Sequence, residues 1–178
     1  GISEANVVSI AAGLALSGKV PFASTYAAFI PGKCVDQIRN AIAYGNLNVK
    51  LVVSHGGLSV GPDGGSHQQL EDFAITRAIP NMQVIVPADE VATRKLVYLA
   101  AETRGPMYMR LTRPKSTLIY EKNGVDLKIG KSVTVRDGSD ITVIACGIMV
   151  PEAVEASDRL KKERISCRVI DMFTLKPI

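Results

Sequence analysis

Tryptophan is absent from this 178-residue chain, and five Tyr and four Phe are its only aromatics. Long apolar tracts are absent as well. The longest, Val7 to Leu16, is interrupted by Ser9 and Gly13 and is too short to span a bilayer, so a transmembrane helix and a membrane partner are excluded. No block of one charge stands out either. The formal charge of +4 is scattered, and the one dense cluster, Arg159-Leu160-Lys161-Lys162-Glu163-Arg164, reads as the solvated end of a helix. Nucleic acid is therefore not an expected partner, whereas a few well-placed cations suit a phosphorylated small molecule. The three cysteines, Cys34, Cys146 and Cys167, lie far apart without metal-ligand spacing, which points to reduced, buried thiols and a cytoplasmic location.

What is present is a hydrophobic fraction of 47% against 21% charged residues, enough for a real core in one large or two small domains. Apolar periodicity alternates between strand and helix. A helix is expected over 4–17 between Ser3 as cap and Gly18 as stop, followed by a strand from Val20 to Thr25. Helices at Asp36–Tyr44, Gln68–Ala78 and Asp89–Thr103 then alternate with strands at Val49–Val53, Val84–Val86 and Met107–Leu111. This alternation predicts an α/β fold with a doubly wound, mostly parallel sheet. Residues 115–138 turn irregular and polar. Beyond them Ile141–Cys146, Pro151–Lys162 and Arg168–Met172 form one βαβ unit, the start of a second α/β domain. The chain begins without Met at Gly1-Ile2-Ser3-Glu4 and stops soon after that last strand, so both ends read as cut.

Both histidines fall in one glycine-rich stretch, Ser54 to His67, directly after the apolar run ending at Val53. Two imidazoles, Asp63 and Gly56, Gly57, Gly61, Gly64 and Gly65 at the end of a strand have the composition of an active-site loop, because α/β sheets bind ligands beyond the carboxyl ends of their strands. A plain surface loop with incidental histidines has the same composition.

Several motifs in order decide between these readings. Gly1-Ile2-Ser3-Glu4, Ser24-Thr25-Tyr26-Ala27-Ala28-Phe29, Asp36-Gln37-Ile38-Arg39, the His55–His67 loop, Val86-Pro87-Ala88-Asp89 and Leu111-Thr112-Arg113 together resemble the pyrimidine-binding domain of transketolases. The stretch from Asp140-Ile141-Thr142-Val143 to Pro177 resembles the start of their C-terminal domain. Nearly the whole chain is covered, and the pattern is most similar to the C-terminal subunit of split transketolases. The resemblance implies a pyrimidine-binding domain over 1–118 that lacks its first strand, a linker over 119–138, and a truncated C-terminal domain over 139–178.

The same resemblance assigns roles. Glu4 matches the glutamate that bonds N1′ of the thiamine aminopyrimidine and favours its imino tautomer, a task that needs a carboxyl group where water does not compete; read alone, it is an ordinary acid in a first helical turn. Tyr26 and Phe29 match the aromatics that stack on that ring. A further aromatic common three residues later is replaced by Gly32. His55, Asp63 and His67 match the groups that bind the sugar hydroxyls and carbonyl, with His67 also assisting proton transfer, to which imidazole is suited as both donor and acceptor. Arg113 matches the arginine on the terminal phosphate of the substrate, where a guanidinium fork fits the oxygens. Arg110 and Lys115 read as surface or linker charges.

One motif is missing. The Gly-Asp-Gly signature with a downstream Asn that holds thiamine diphosphate through Mg²⁺ does not occur, since Arg136-Asp137-Gly138 reads as a plain turn. The resemblance therefore implies half a cofactor site: no metal ligands here, a diphosphate-binding N-terminal subunit or domain elsewhere, a homodimer, and an enzyme of pentose phosphate metabolism that is silent as this fragment. Its implied reaction moves a two-carbon ketol unit between sugar phosphates. Relatives with the same domain order, 1-deoxyxylulose-5-phosphate synthase and the 2-oxoacid dehydrogenase β-subunit, are alternatives, as is a non-catalytic regulatory or structural subunit.

Overall fold

The computed structural model describes residues 2–121 and 124–178. Gly1, which opens the Glu4 motif, and Lys122 and Asn123 of the 119–138 segment lie outside the described residues. The chain forms two units, Gly1–Ile85 with Ala100–Pro114, and Val86–Leu99 with Lys115–Ile178.

The first unit contains α1 (Glu4–Leu16), β1 (Phe22–Ala23), a π-helix (Gln37–Ala43), β2 (Lys50–Val53), α2 (Asp72–Ala78), β3 (Gln83–Ile85) and β4 (Met107–Arg110). Its strands run parallel in the order β1-β2-β4-β3, with Lys50 opposite Met107 and Val53 opposite Arg110. β2 and β4 are the inner strands, and accordingly they are buried on both faces; Leu51, Val53 and Tyr108 are fully buried. Each such apolar side chain contributes about 1.5–3 kcal/mol. α1 turns Val8, Ala11 and Ala12 inward at helical spacing. Ser3 makes no side-chain cap; its carbonyl instead accepts from the Val7 amide at 3.0 Å. Gly18 ends the helix at φ +83°, as expected.

The expected Val20–Thr25 strand shortens to two residues, although a Tyr26–Ser54 bridge continues the pairing beyond it. α2 begins at Asp72 rather than Gln68, because a short 3₁₀ turn at Gly65–His67 and a Gly57–Gln69 bridge already engage the preceding backbone. Lys50 is wholly buried within β2. Its Nζ donates to the carbonyls of Thr103 at 2.6 Å and Gly105 at 2.7 Å, and burial pulls its pKa down to about 8. The neutral amine still has two N–H groups for these two acceptors.

The second unit holds most of α3 (Glu90–Glu102), then β5 (Val133–Arg136), β6 (Ile141–Ala145), α4 (Met149–Lys162), β7 (Cys167–Asp171) and β8 (Thr174–Lys176). β6 and β7 are parallel, the expected βαβ unit, with Ala153 of α4 packed on Cys167 and Val169. β5 lies inside the stretch that reads as irregular and pairs antiparallel with β7 through a bulge, so the order is β5-β7-β6. Its alternation of Val and polar residues is that of a half-buried strand, but four residues within a polar stretch are too few to stand out. Asp89 is the N-cap of α3: Oδ1 accepts from the Ala92 amide, and Oδ2 accepts from the amides of Ile119 and Tyr120. The Tyr120 hydroxyl donates to Asp171 at 2.7 Å, while burial raises the Asp171 carboxyl to about 6. Cys34 and Cys167 are buried, and Cys146 is partly so. Among the described residues no helix is long and apolar enough to cross a membrane.

Candidate active site

The carboxyl ends of β1 and β2 bring the candidate residues together. The Ser54 amide donates to Thr25 O at 3.0 Å and the Ala27 amide donates to Ser54 O at 2.8 Å, so Tyr26 and His55 leave the sheet side by side. Their rings stack with centroids 3.7 Å apart and planes 14° from parallel. Phe29 lies 5.9 Å from Tyr26 in a nearly parallel plane. His67 stands edge-on to both rings, 6.0 Å from Tyr26 and 5.5 Å from Phe29. Four residues predicted from two separate motifs thus form one ring cluster, with T-shaped and stacked contacts of the kind aromatic quadrupoles favour.

His55 adopts φ +59°, a left-handed conformation that costs a non-glycine residue roughly 1–3 kcal/mol. Its Nδ1 shares a 2.8 Å hydrogen bond with the Ser54 hydroxyl. On the other side of the ring Nε2 is 3.9 Å from Asp63 Oδ2, and the same carboxylate oxygen lies 3.7 Å from Arg113 Nε. Asp63 therefore links the ring cluster to Arg113. Both members of the Asp63–Arg113 pair are more than a third exposed, so the pair is worth at most about 1 kcal/mol and yields readily to a competing anion.

Glu4 connects to this cluster through the turn that carries Phe29. The Lys33 amide donates to Phe29 O at 3.2 Å, and Lys33 Nζ pairs with Glu4 Oε2 at 3.2 Å. Glu4 Oε1 accepts from the Ile2 amide at 3.1 Å. Glu4 as a whole residue is only 7% exposed. Burial works against its charge, yet the hydrogen bonds from backbone amides and Lys33 outweigh that and hold its pKa below the usual carboxylate range. The neighbouring Cys34 thiol is pushed up by burial and by the Glu4 charge. Gly32 follows from crowding: a Cβ there would stand 2.3 Å from Ala28 O and 3.0 Å from the side-chain oxygen of Gln69, so this backbone has no room for the third aromatic.

Sequence reasoning misses three residues here. Arg110, expected at the surface or in a linker, has a side chain 15% exposed and pairs at 3.4 Å with the fully buried Asp72. The Tyr108 hydroxyl donates to the same carboxylate oxygen at 2.8 Å. Burial pushes the Asp72 carboxyl above its ordinary range against the pull of Arg110 and Tyr108. Lys33 is the third, through its pair with Glu4. Position held the only signal: Arg110 closes an apolar strand, and Asp72 opens a helix beside the loop. Lys115 lies exposed, as expected. Among the described residues, no group of three or more His, Cys, Asp and Glu side chains is placed to hold a metal ion.

Comparison with known proteins shows the family. Residues 1–117 match the family model for the transketolase pyrimidine binding domain, and residues 130–178 match that for the transketolase C-terminal domain. A Methanocaldococcus jannaschii protein named as a transketolase C-terminal section is 46% identical over 179 residues, which cover 100% of this chain and 57% of that protein. Human transketolase is 45% identical over 99% of this chain and 28% of its own length. Among solved structures, a split-gene transketolase described as an inactive β4 tetramer superposes with a TM-score of 0.91 at 45% identity, covering 100% of this chain and 57% of that one. This chain thus spans little more than half of its archaeal relative and under a third of the human enzyme. With both domain matches in chain order and a shared fold at this identity, the chain belongs to the transketolase family.

Proposed function

We propose that this chain is the half of a transketolase that receives the aminopyrimidine end of thiamine diphosphate and the sugar substrate, within an assembly that transfers a two-carbon ketol unit between sugar phosphates. Thiamine diphosphate, the cofactor of the family, supplies the electron sink that breaking a ketose carbon–carbon bond requires. The residues present fit a flat heteroaromatic ring: the near-parallel faces of Tyr26 and Phe29 offer a platform, and the buried Glu4 carboxylate at the start of α1 is tied to the adjoining turn through Lys33. In this reading Glu4 holds the proton at the ring nitrogen N1′. Tyr26 and Phe29 orient the ring and keep water from it. His55 and Asp63 bind the sugar oxygens, His67 accepts or returns a proton at a sugar hydroxyl, and Arg113 releases Asp63 to bind the terminal phosphate as a charge-assisted pair.

The Mg²⁺ and diphosphate half-site belongs, on this proposal, to an N-terminal subunit or domain. Two facts favour this: the archaeal relative is named as a transketolase C-terminal section, and the solved relative is described as a split-gene transketolase. A homodimer, a cytoplasmic location and domains at 1–118 and 139–178 joined by 119–138 complete the reading.

The observation that carries it is the ring cluster of Tyr26, Phe29, His55 and His67 joined through Asp63 to Arg113. The test is two-carbon transfer from a ketose phosphate to an aldose phosphate by the assembled protein. Wild type is expected to turn over, and Glu4→Gln to lose about 10²- to 10⁴-fold of that rate with an unfolding midpoint close to wild type. No transfer by the wild-type assembly, or near-normal turnover by Glu4→Gln, contradicts the proposal.

A further inference from the structure

The turn that carries His55 rests on Arg110. The backbone of Gly56 and Gly57 passes so close to this side chain that a Cβ on Gly56 would stand 1.9 Å from Arg110 Nε, and one on Gly57 would stand 2.4 Å from Arg110 Nη2. With the guanidinium where it stands, a side chain on either glycine would have to displace it, and Gly57 adds a φ of +78°. The guanidinium itself is fixed on its other sides. Asp72 Oδ2 meets Nε at 3.4 Å, Cζ lies 4.3 Å above the Phe73 ring, and Tyr108 holds Asp72 in place from within β4. Two backbone bonds pin the turn at its edges: the Gly56 amide donates to Leu111 O at 3.4 Å and the Gly57 amide to Gln69 O at 2.8 Å.

We infer that Arg110, clamped by Asp72 and Phe73, is a positioning residue: it is the floor that keeps His55 in its left-handed conformation and its ring on Tyr26. The physical reason is that a strained residue persists only where its surroundings over-determine it. His55 at φ +59° relaxes toward ordinary backbone angles unless the next two residues are held, and a planar cation flat against glycine backbone holds them without intruding. The functional consequence rests on the proposal that His55 binds the sugar.

Truncating Arg110 alone leaves the Asp72 charge buried and unpaired, which threatens folding. The informative variant is therefore Asp72→Asn/Arg110→Met in the full-length protein assembled with its partner half, compared with Arg110→Lys. Diethylpyrocarbonate modification of His55, read by tandem mass spectrometry with His67 as the internal reference, reports the seat of His55 independently of activity. The expected result is a several-fold rise in the His55-to-His67 modification ratio in the double variant while its thermal midpoint stays near wild type, together with a loss on the order of 10²-fold in kcat/KM. Arg110→Lys keeps the charge on Asp72 but lacks the planar surface, so its midpoint is retained while its His55 ratio still rises. An unchanged His55 ratio in either folded variant overturns the inference. If the wild-type assembly transfers no ketol unit, the functional reading fails, and the modification ratio still decides the role of Arg110.

Discussion

At the scale of residues, the candidate site is a set of groups whose current partners are weak enough to be exchanged. Arg113 is 44% exposed and faces Asp63, which is also near His55. A phosphate dianion offers the guanidinium more than this carboxylate does, through bidentate hydrogen bonds worth roughly 1.5–3 kcal/mol. Arg113→Ala should accordingly raise KM for a phosphorylated ketose about 10- to 100-fold and leave an unphosphorylated ketose much less affected, as steady-state kinetics on the two substrates will show; an equal loss for both removes the phosphate role. Glu4, Tyr26, Phe29, His55, Asp63, His67 and Arg113 were singled out by motifs that resemble the family's, and the structure gathers Tyr26, Phe29, His55 and His67 into one ring cluster with Asp63 and Arg113 beside it. Arg110, Asp72 and Lys33 were not, since what defines them is a partner distant in sequence: Asp72 is 36 residues from Tyr108, and Lys33 is 29 residues from Glu4.

Elements tell a similar story on a longer range. Buried parallel strands announce themselves as apolar runs, so β2 and β4 were legible to within a residue. Elements decided by neighbours were not. β5 has one face toward solvent and four residues, and α2 starts late because the 65–69 backbone is already paired. Energetically, the second unit is organised by two buried carboxylates, Asp89 on backbone amides and Asp171 on the Tyr120 hydroxyl. Asp171 has a folded pKa raised by burial to about 6 from 3.8, so the fold binds its proton more tightly than the unfolded chain does. The stability this contributes is fully present below pH 3.8 and is lost as pH rises through 6. Asp171→Asn removes that term. The difference in unfolding free energy between variant and wild type is therefore expected to shift in favour of the variant as pH rises from 4 to 7, in chemical denaturation followed at each pH. A difference that stays constant across this range contradicts the assignment.

At the scale of the whole molecule, the surface of α1 bears on the proposed split site. α1 is apolar on nearly all sides: Val8, Ala11 and Ala12 point into the first unit, yet Val7, Ile10 and Leu14 remain 41%, 55% and 45% exposed. Helices of this kind are covered on every side in their working state. Glu4 opens this same helix. On the proposed function, this chain provides the ring and sugar groups while the diphosphate and Mg²⁺ are held elsewhere. Isothermal titration of thiamine diphosphate and Mg²⁺ into this chain, repeated after addition of the N-terminal half, tests it most directly. Weak binding by the chain alone and tight binding by the pair is the predicted result; tight binding by the chain alone contradicts it.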